Sequence, residues 1–279
     1  MRRVLVLSML AVLCGAHASA EDEAASAPAP AEAPAEAPAP KWEFAVAPYM
    51  WFVGIDGSVD SGGRSVDVDV KFKDIWDALD VGALAAVEAR RGRFSFVNNL
   101  IYLKVSTSGD HPTGAGLPSV PPGSLDVRVA SSIIIWEFRP AWEVLSLPLT
   151  SEKHRIALDI GPAGRFWWLA NHADVKLKPG VPVGPFQQRS DTHTDFVDWV
   201  AAARIRARLT DDIGLVVSGD YGGFGIGSSS HATWSVAGFG MYRLGESWDL
   251  SAGWRYLSID HGSTDINLSG PLVGLSYRF

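Results

Sequence analysis

Apolar and polar residues alternate along most of the chain after residue 41. Over residues 42–54, Trp42, Phe44, Val46, Pro48, Met50 and Phe52 share one face, and Glu43, Ala45, Ala47 and Tyr49 share the other. A period of two is the strand period, because successive side chains of a strand point to opposite sides. Over residues 81–90, Val81, Ala83, Ala85, Val87 and Ala89 oppose Glu88 and Arg90. Over 125–144, Ile134, Trp136, Phe138, Pro140 and Trp142 oppose Glu137, Arg139 and Glu143. Over 155–170, Ile156, Leu158, Ile160, Phe166 and Trp168 oppose Asp159 and Arg165. Residues 194–209 are the clearest: Val197, Trp199, Ala201, Ala203, Ile205, Ala207 and Leu209 oppose Asp198, Arg204 and Arg206. Strands are also predicted over 94–105, with a bulge at Asn98-Asn99, and over 213–226, 232–244, 248–259 and 268–279. On these, Asp220, Arg255 and Arg278 point to the charged side.

The predicted fold is all-β: one antiparallel transmembrane barrel of about ten strands, within a range of eight to twelve. Bacterial barrels have an even number of strands, short periplasmic turns and longer outer loops. Connections 91–93, 145–154, 210–212 and 245–247 are short; 55–80, 106–124 and 171–193 are long, and 227–231 and 260–267 complete the outer side. A soluble sandwich or lipocalin-like barrel would carry its charge outside and its apolar residues inside. Here isolated Asp, Glu and Arg interrupt one face while the other is apolar and aromatic. The tryptophans fit two interfacial belts: Trp42, Trp142 and Trp248 near periplasmic strand ends, and Trp168, Trp199 and Trp234 nearer the outer ends. No apolar run after residue 41 approaches the roughly 20 residues that a spanning helix needs.

The first 41 residues read differently. Met1-Arg2-Arg3, a short apolar run and Ala18-Ser19-Ala20 predict a secretory signal peptide over 1–20. A lipoprotein signal at Cys14 is disfavoured by Leu13 before it. Residues 21–41 are rich in Ala, Pro and Glu and are expected to be a disordered linker, a solvated tether whose alternative role is contact with peptidoglycan. Cys14 is the only cysteine, so residues 42–279 have no disulfide to stabilise them. The net charge of −7 argues against nucleic acid as a partner.

The chain ends Gly274-Leu275-Ser276-Tyr277-Arg278-Phe279, and Tyr277 and Phe279 resemble the C-terminal assembly signal of outer-membrane barrels. Ala47-Pro48-Tyr49-Met50-Trp51 with Gly54 and Asp56-Gly57, then Asp67-Val68-Asp69-Val70, then Glu88-Ala89-Arg90-Arg91-Gly92-Arg93, resemble a family of Gram-negative outer-membrane β-barrel proteins of uncharacterised activity. The resemblance covers residues 42–279. It implies a location and a fold, and no catalytic residues.

Glu88, Arg90, Glu137, Arg139, Asp159, Arg165, Asp198, Arg204, Arg206, Asp220, Arg255 and Arg278, with Glu143, are the predicted lumen charges. Two readings stand: a salt-bridged core that compensates buried charge, or a narrow path for ions or small solutes. Residues 56–80 hold a strand-like alternation over 65–72 and helical spacing at Ile75, Trp76 and Leu79; they either plug the barrel or form an ordered outer loop. His111, His172, His193, His231 and His261, with Asp110, Asp174, Asp195 and Asp260 nearby, fall near outer strand ends; metal or hydrolytic chemistry there lacks any tight motif. Gly219, Gly222, Gly223, Gly225 and Gly227 precede no helix, so a nucleotide loop is void; beside Tyr221 and Phe224 they suit a curved wall. The expectation is a monomeric, non-enzymatic outer-membrane protein, structural or surface-interacting, with a closed or narrow lumen and no cofactor or metal. Its expected partners are outer-membrane lipids and the barrel assembly machinery. The alternatives are a small-solute or ion channel and an outer-leaflet lipid hydrolase.

Overall fold

A computed structural model describes residues 40–61, 64–113, 123–151, 153–179 and 186–279. The predicted signal peptide and linker residues 21–39 lie outside them. In chain order the elements are β1 (Trp42–Trp51), β2 (Gly54–Ser61), β3 (Arg64–Val70), α1 (Phe72–Asp77), β4 (Leu79–Arg91), β5 (Phe94–Thr113), β6 (Gly123–Ser151), β7 (His154–Pro179), β8 (Phe186–Arg208), β9 (Ile213–Gly223), β10 (Ala232–Arg243), β11 (Trp248–His261) and β12 (Thr264–Arg278). Every pairing is antiparallel. β1 and then β4 to β12 follow one another around a ten-stranded barrel, which closes through β1–β12. Ala45 lies opposite Arg278 and Met50 opposite Val273, the closure that the two terminal alternations require. Over the terminal half of the ring, closure leaves no unpaired edge for the bilayer to penalise; toward the far rim, the outer side of β3 and the start of β4 before Ala85 are left single among the described residues.

β2 and β3 are additions to this ring. β12 pairs with β1 through its C-terminal half and with β2 through its first half, where Leu268 faces Ile55 and Thr264 faces Val59. β3 then pairs with β2. The β1–β4 ladder ends at Pro48 opposite Ala85. Proline has no N–H to donate, so the ladder stops there and β1 bends away toward β2. Of the two readings of segment 56–80, the ordered outer segment is the nearer, here a hairpin and a short helix joined to the wall. It extends the wall beside β12, with Phe72 edge-on to Phe52 at 5.0 Å and Ile75 packed on the interior cluster.

Some expected boundaries shift. Asn98-Asn99 makes no bulge: β5 pairs in register through both residues on both sides. The register shifts instead between Leu79 and Val81 in β4, and between Glu143 and Leu145 and between Pro148 and Ser151, where β6 runs on through most of the predicted connection 145–154. Much of predicted loops 106–124 and 171–193 is strand. β5, β6, β7 and β8 continue past the other strands as an extension at the rim opposite the chain termini, and the pairs Asp110–Asp126 and His172–Asp191 lie within it. Strand 213–226 ends early, at Gly223, because Gly223, Phe224 and Gly225 take φ of 94°, 63° and 63° and turn the chain out of the sheet.

The barrel exterior is apolar. Trp142, Trp199, Trp248, Trp254 and Ile160 are exposed on it, in the phase expected from alternation. Rings gather in two bands. At the terminal rim, Trp42 and Phe44 are 6.1 Å apart, Phe44 and Phe279 5.7 Å, and Trp248 and Tyr277 4.9 Å. Nearer the far rim, Phe138 meets Trp199 at 5.8 Å and Trp234 stacks on Tyr256 at 4.7 Å. An exterior of this kind is a liability in water and the solvated side in lipid.

Candidate functional site

The interior is layered, and each layer follows from which inward positions are apolar, charged or small. Towards the far rim it is apolar. Trp51, Val53, Ile101, Ile135, Trp167, Phe196, Leu257, Ile259, Leu268 and Leu272 form one buried cluster. Leu257 has no exposed surface and Ile101 and Ile135 only 1 % each. These residues have the same inward phase as the charges nearer the terminal rim. The predicted lumen charges do not extend through this part of the interior, which is packed with apolar side chains that gain nothing from admitting water.

Asp198 sits apart from the other lumen charges, beside this cluster. It accepts hydrogen bonds from Trp167 Nε1 at 2.9 Å, the Ser230 backbone N–H at 2.7 Å and Ser230 Oγ at 2.8 Å. The chain between β9 and β10 thus folds inward: Ser230 is fully buried and Ser229 Oγ donates to the Gly223 carbonyl at 2.7 Å. His261 stacks on Phe196 with ring centroids 3.9 Å apart. A buried carboxylate with three donors is satisfied without a cation.

Below the apolar cluster comes a first ionic layer. Arg165, buried to 1 %, donates to Glu137 at 2.7 Å, to Asp220 at 2.9 Å and to Thr233 Oγ1 at 2.9 Å. Arg255 donates to Glu137 at 2.7 Å, and Arg139 to Asp220 at 2.8 Å. Asn99 completes Glu137 at 2.8 Å and accepts from the Tyr49 hydroxyl at 2.9 Å. In the sequence Asn99 reads as part of a bulge and Tyr49 as a wall residue, and neither stands out as a polar partner of the lumen charges. The signal was there in Tyr49, a polar ring on the lumen side of the first strand.

A second layer lies nearer the terminal rim. Asp159 receives Arg90 at 3.0 Å, Arg204 at 2.9 Å and Arg206 at 2.8 Å. Glu88 receives Arg204 at 3.0 Å and Arg90 at 3.2 Å; Glu143 receives Arg206 at 2.8 Å. Three guanidinium groups thus meet three carboxylates, each at more than one contact, which is what makes such burial tolerable. Arg278 is separate again, at the rim, with its Nε 2.8 Å from Asp249. The twelve predicted lumen charges therefore fall into two meshes and two outliers. Below the first mesh the lumen widens into a cavity of about 1280 Å³ that reaches the terminal rim at Phe44, Arg208 and Phe279.

Of the described histidines, His172 and His193 line one pocket with Asp191 on the β7–β8 extension, while His231 and His261 lie elsewhere. His172 hydrogen-bonds Asp191 on the β7–β8 extension, and His231 lies 3.4 Å from Asp260. Asp191 titrates below the usual carboxylate range, chiefly through that bond from His172. The side chain of His111 lies outside the described residues. Among the described residues no three metal-ligating side chains come together.

No family model and no curated protein matches the chain. Solved structures similar to it include the translocator domain of autotransporter NalP from Neisseria meningitidis, at 12 % identity over 86 % of this chain and 89 % of that one, TM-score 0.44. Others are the toluene transporter TodX of P. putida, at 10 % identity over 85 % and 89 %, TM-score 0.33, and neisserial surface protein A, at 11 % over 85 % and 97 %, TM-score 0.28. The barrel assignment rests on the strand pairing, and no activity passes from these proteins to this chain.

Proposed function

We propose that this chain is a non-enzymatic integral protein of the Gram-negative outer membrane, a monomeric barrel closed toward the cell exterior. In this reading it is exported through a signal peptide at residues 1–20 and inserted by the barrel assembly machinery. Both ends of the barrel domain lie at the periplasmic rim, and the β5–β8 extension stands outside the cell as a structural or surface-interacting element. One observation carries this reading: a ring of strands that is apolar and aromatic outside, yet also apolar inside over its far part. The exterior calls for lipid, and the filled interior withholds a path across it. Ladder-paired strands with two aromatic bands meet the bilayer's demand that backbone groups be satisfied internally.

The small-solute channel keeps the cavity as its support but needs the Trp167–Phe196–Leu257 cluster to move. The outer-leaflet hydrolase needs a nucleophile beside a histidine. Among the described residues, neither His172–Asp191 nor His231–Asp260 has a serine hydroxyl hydrogen-bonded to it. The test is fractionation of the expressed protein together with unheated gel electrophoresis. Recovery with outer membranes and a heat-dependent mobility shift are expected; recovery as a soluble periplasmic protein would overturn the proposal.

A further inference from the structure

We propose that the cavity at the terminal rim is a binding site for small solutes that carry phosphate or carboxylate groups. In the ionic layers deeper in the lumen every guanidinium group is hydrogen-bonded to a carboxylate, three against two around Glu137 and Asp220 and three against three around Asp159; at the mouth this pairing is incomplete. Ile156 lies opposite Ala207 in the β7–β8 ladder, so the next step sets Arg155 directly opposite Arg208. Like charges in that position destabilise a sheet. Among the described residues neither has a carboxylate within ion-pair reach. Across the mouth, Arg243 and Arg278 share one carboxylate, Asp249, at 3.9 Å and 2.8 Å. All four arginines have the lumen phase and line the cavity, so they do not face lipid.

Glu43, Asp211 and Asp212 also reach the mouth, accompanied by Lys41 and Lys153, and His154 stands 3.4 Å from Asp211. At the mouth Arg155 and Arg208 have no ion-pair partner among the described residues and Arg243 and Arg278 share one, so unpaired guanidinium gathers there in a chain whose net charge is −7. Guanidinium groups match phosphate and carboxylate geometry in pairs, and a cleft with low-dielectric walls focuses their field on an entering anion. Room for the rest of the solute comes from small inward residues: Ala45, Ala86, Ala157, Ala202 and Ala237 line the wall. About 1280 Å³ exceeds the usual ~300–1,000 Å³ of small-molecule sites, so a solute of sugar-phosphate size fits. Glu137, Arg139 and Arg255 line the deep end of the cavity, and the apolar cluster packs beyond them. Only the naming of the periplasm as the source of the solute rests on the orientation proposed above; the binding does not.

The test is isothermal titration of the folded mature protein in nanodiscs of zwitterionic lipid. The probes are inorganic pyrophosphate and citrate, with sucrose as the neutral control. Saturable binding of pyrophosphate or citrate, absent for sucrose, is expected. It should weaken about tenfold in Arg155→Gln/Arg208→Gln, which removes two guanidinium partners, and weaken with added salt. Both substitutions lie at the rim, and the heat-dependent gel shift reports separately that the variant has folded. Nanodiscs containing phosphatidylglycerol separate a free solute from a lipid headgroup: unchanged binding supports the solute. No saturable binding by the folded protein, equal binding by the double variant, or displacement by phosphatidylglycerol would overturn the proposal.

Discussion

Ala201 and Ala202 are adjacent and chemically identical, yet they stand in different solvents. Ala201 is exposed on the outer face, and Ala202 lines the cavity. Ala201→Arg should therefore weaken insertion by ~2–4 kcal/mol, the cost of a cation on the lipid face near mid-membrane. Ala202→Arg, with water and carboxylates in reach, should cost much less. Equilibrium unfolding of the two variants in lipid vesicles checks this; equal costs would place the phase of β8 in error. Arg165 offers a second contrast. It is the most deeply buried of the arginines that contact Glu137 and Asp220, so Arg165→Ala leaves two buried carboxylates each short of a partner and should destabilise by about 3–5 kcal/mol. Lys73 approaches Asp77 just as closely, at 2.7 Å, but with 82 % of its side chain exposed. Lys73→Ala should leave the same unfolding curve almost unmoved, because solvent screens an exposed pair.

β12 holds the ring together, since it pairs with β11 on one side and with β1 and β2 on the other. Phe279 extends that seam: its N–H donates to the Phe44 carbonyl at 3.0 Å and its own carbonyl accepts from Phe44 at 3.2 Å. Deleting Phe279 removes these bonds and the ring stacked on Phe44, and should reduce the heat-modifiable protein in the outer membrane by more than the lost apolar area explains. Normal assembly of the deletion, read on unheated gels, would contradict this. The seam was legible because each terminal strand alternates cleanly, and register follows from alternation once one face must meet lipid. β8 was legible for the same reason, with Trp199 and Ala201 on one face and Asp198 and Arg204 on the other. The far halves of β6 and β7 were harder to read. Ile133, Ile134 and Ile135 are apolar on both faces, as are Trp167 and Trp168, so the period vanishes where lipid lies outside and a packed core inside. The β5–β8 extension was hidden by the opposite circumstance: away from lipid, its polar residues carry no two-residue period and read as loop. Inward charges could be identified one by one. Their partners could not, because Arg204 with Glu88 and Arg139 with Asp220 are matches between strands that are not neighbours.

The molecule combines a bilayer-compatible exterior with an interior divided in two, apolar and filled on the far side, charged and hollow on the terminal side. Its behaviour across a membrane follows from the filled part. Ions reaching the Glu137–Arg165 layer from the cavity meet a hydrogen-bonded ionic mesh and then the Ile101–Ile135–Leu257 packing, whose apolar side chains cannot replace their hydration. The hollow part sets what the periplasmic side can hold, but it does not open the barrel. The decisive measurement is the conductance of the purified, heat-modifiable protein in planar bilayers, paired with swelling of liposomes in sugar solutions. The expected result is a barrel that inserts yet shows no steady conductance and no uptake of sugars. Steady channels in the folded protein, or uptake of sugars of porin size, would contradict the closure inferred from the apolar far half.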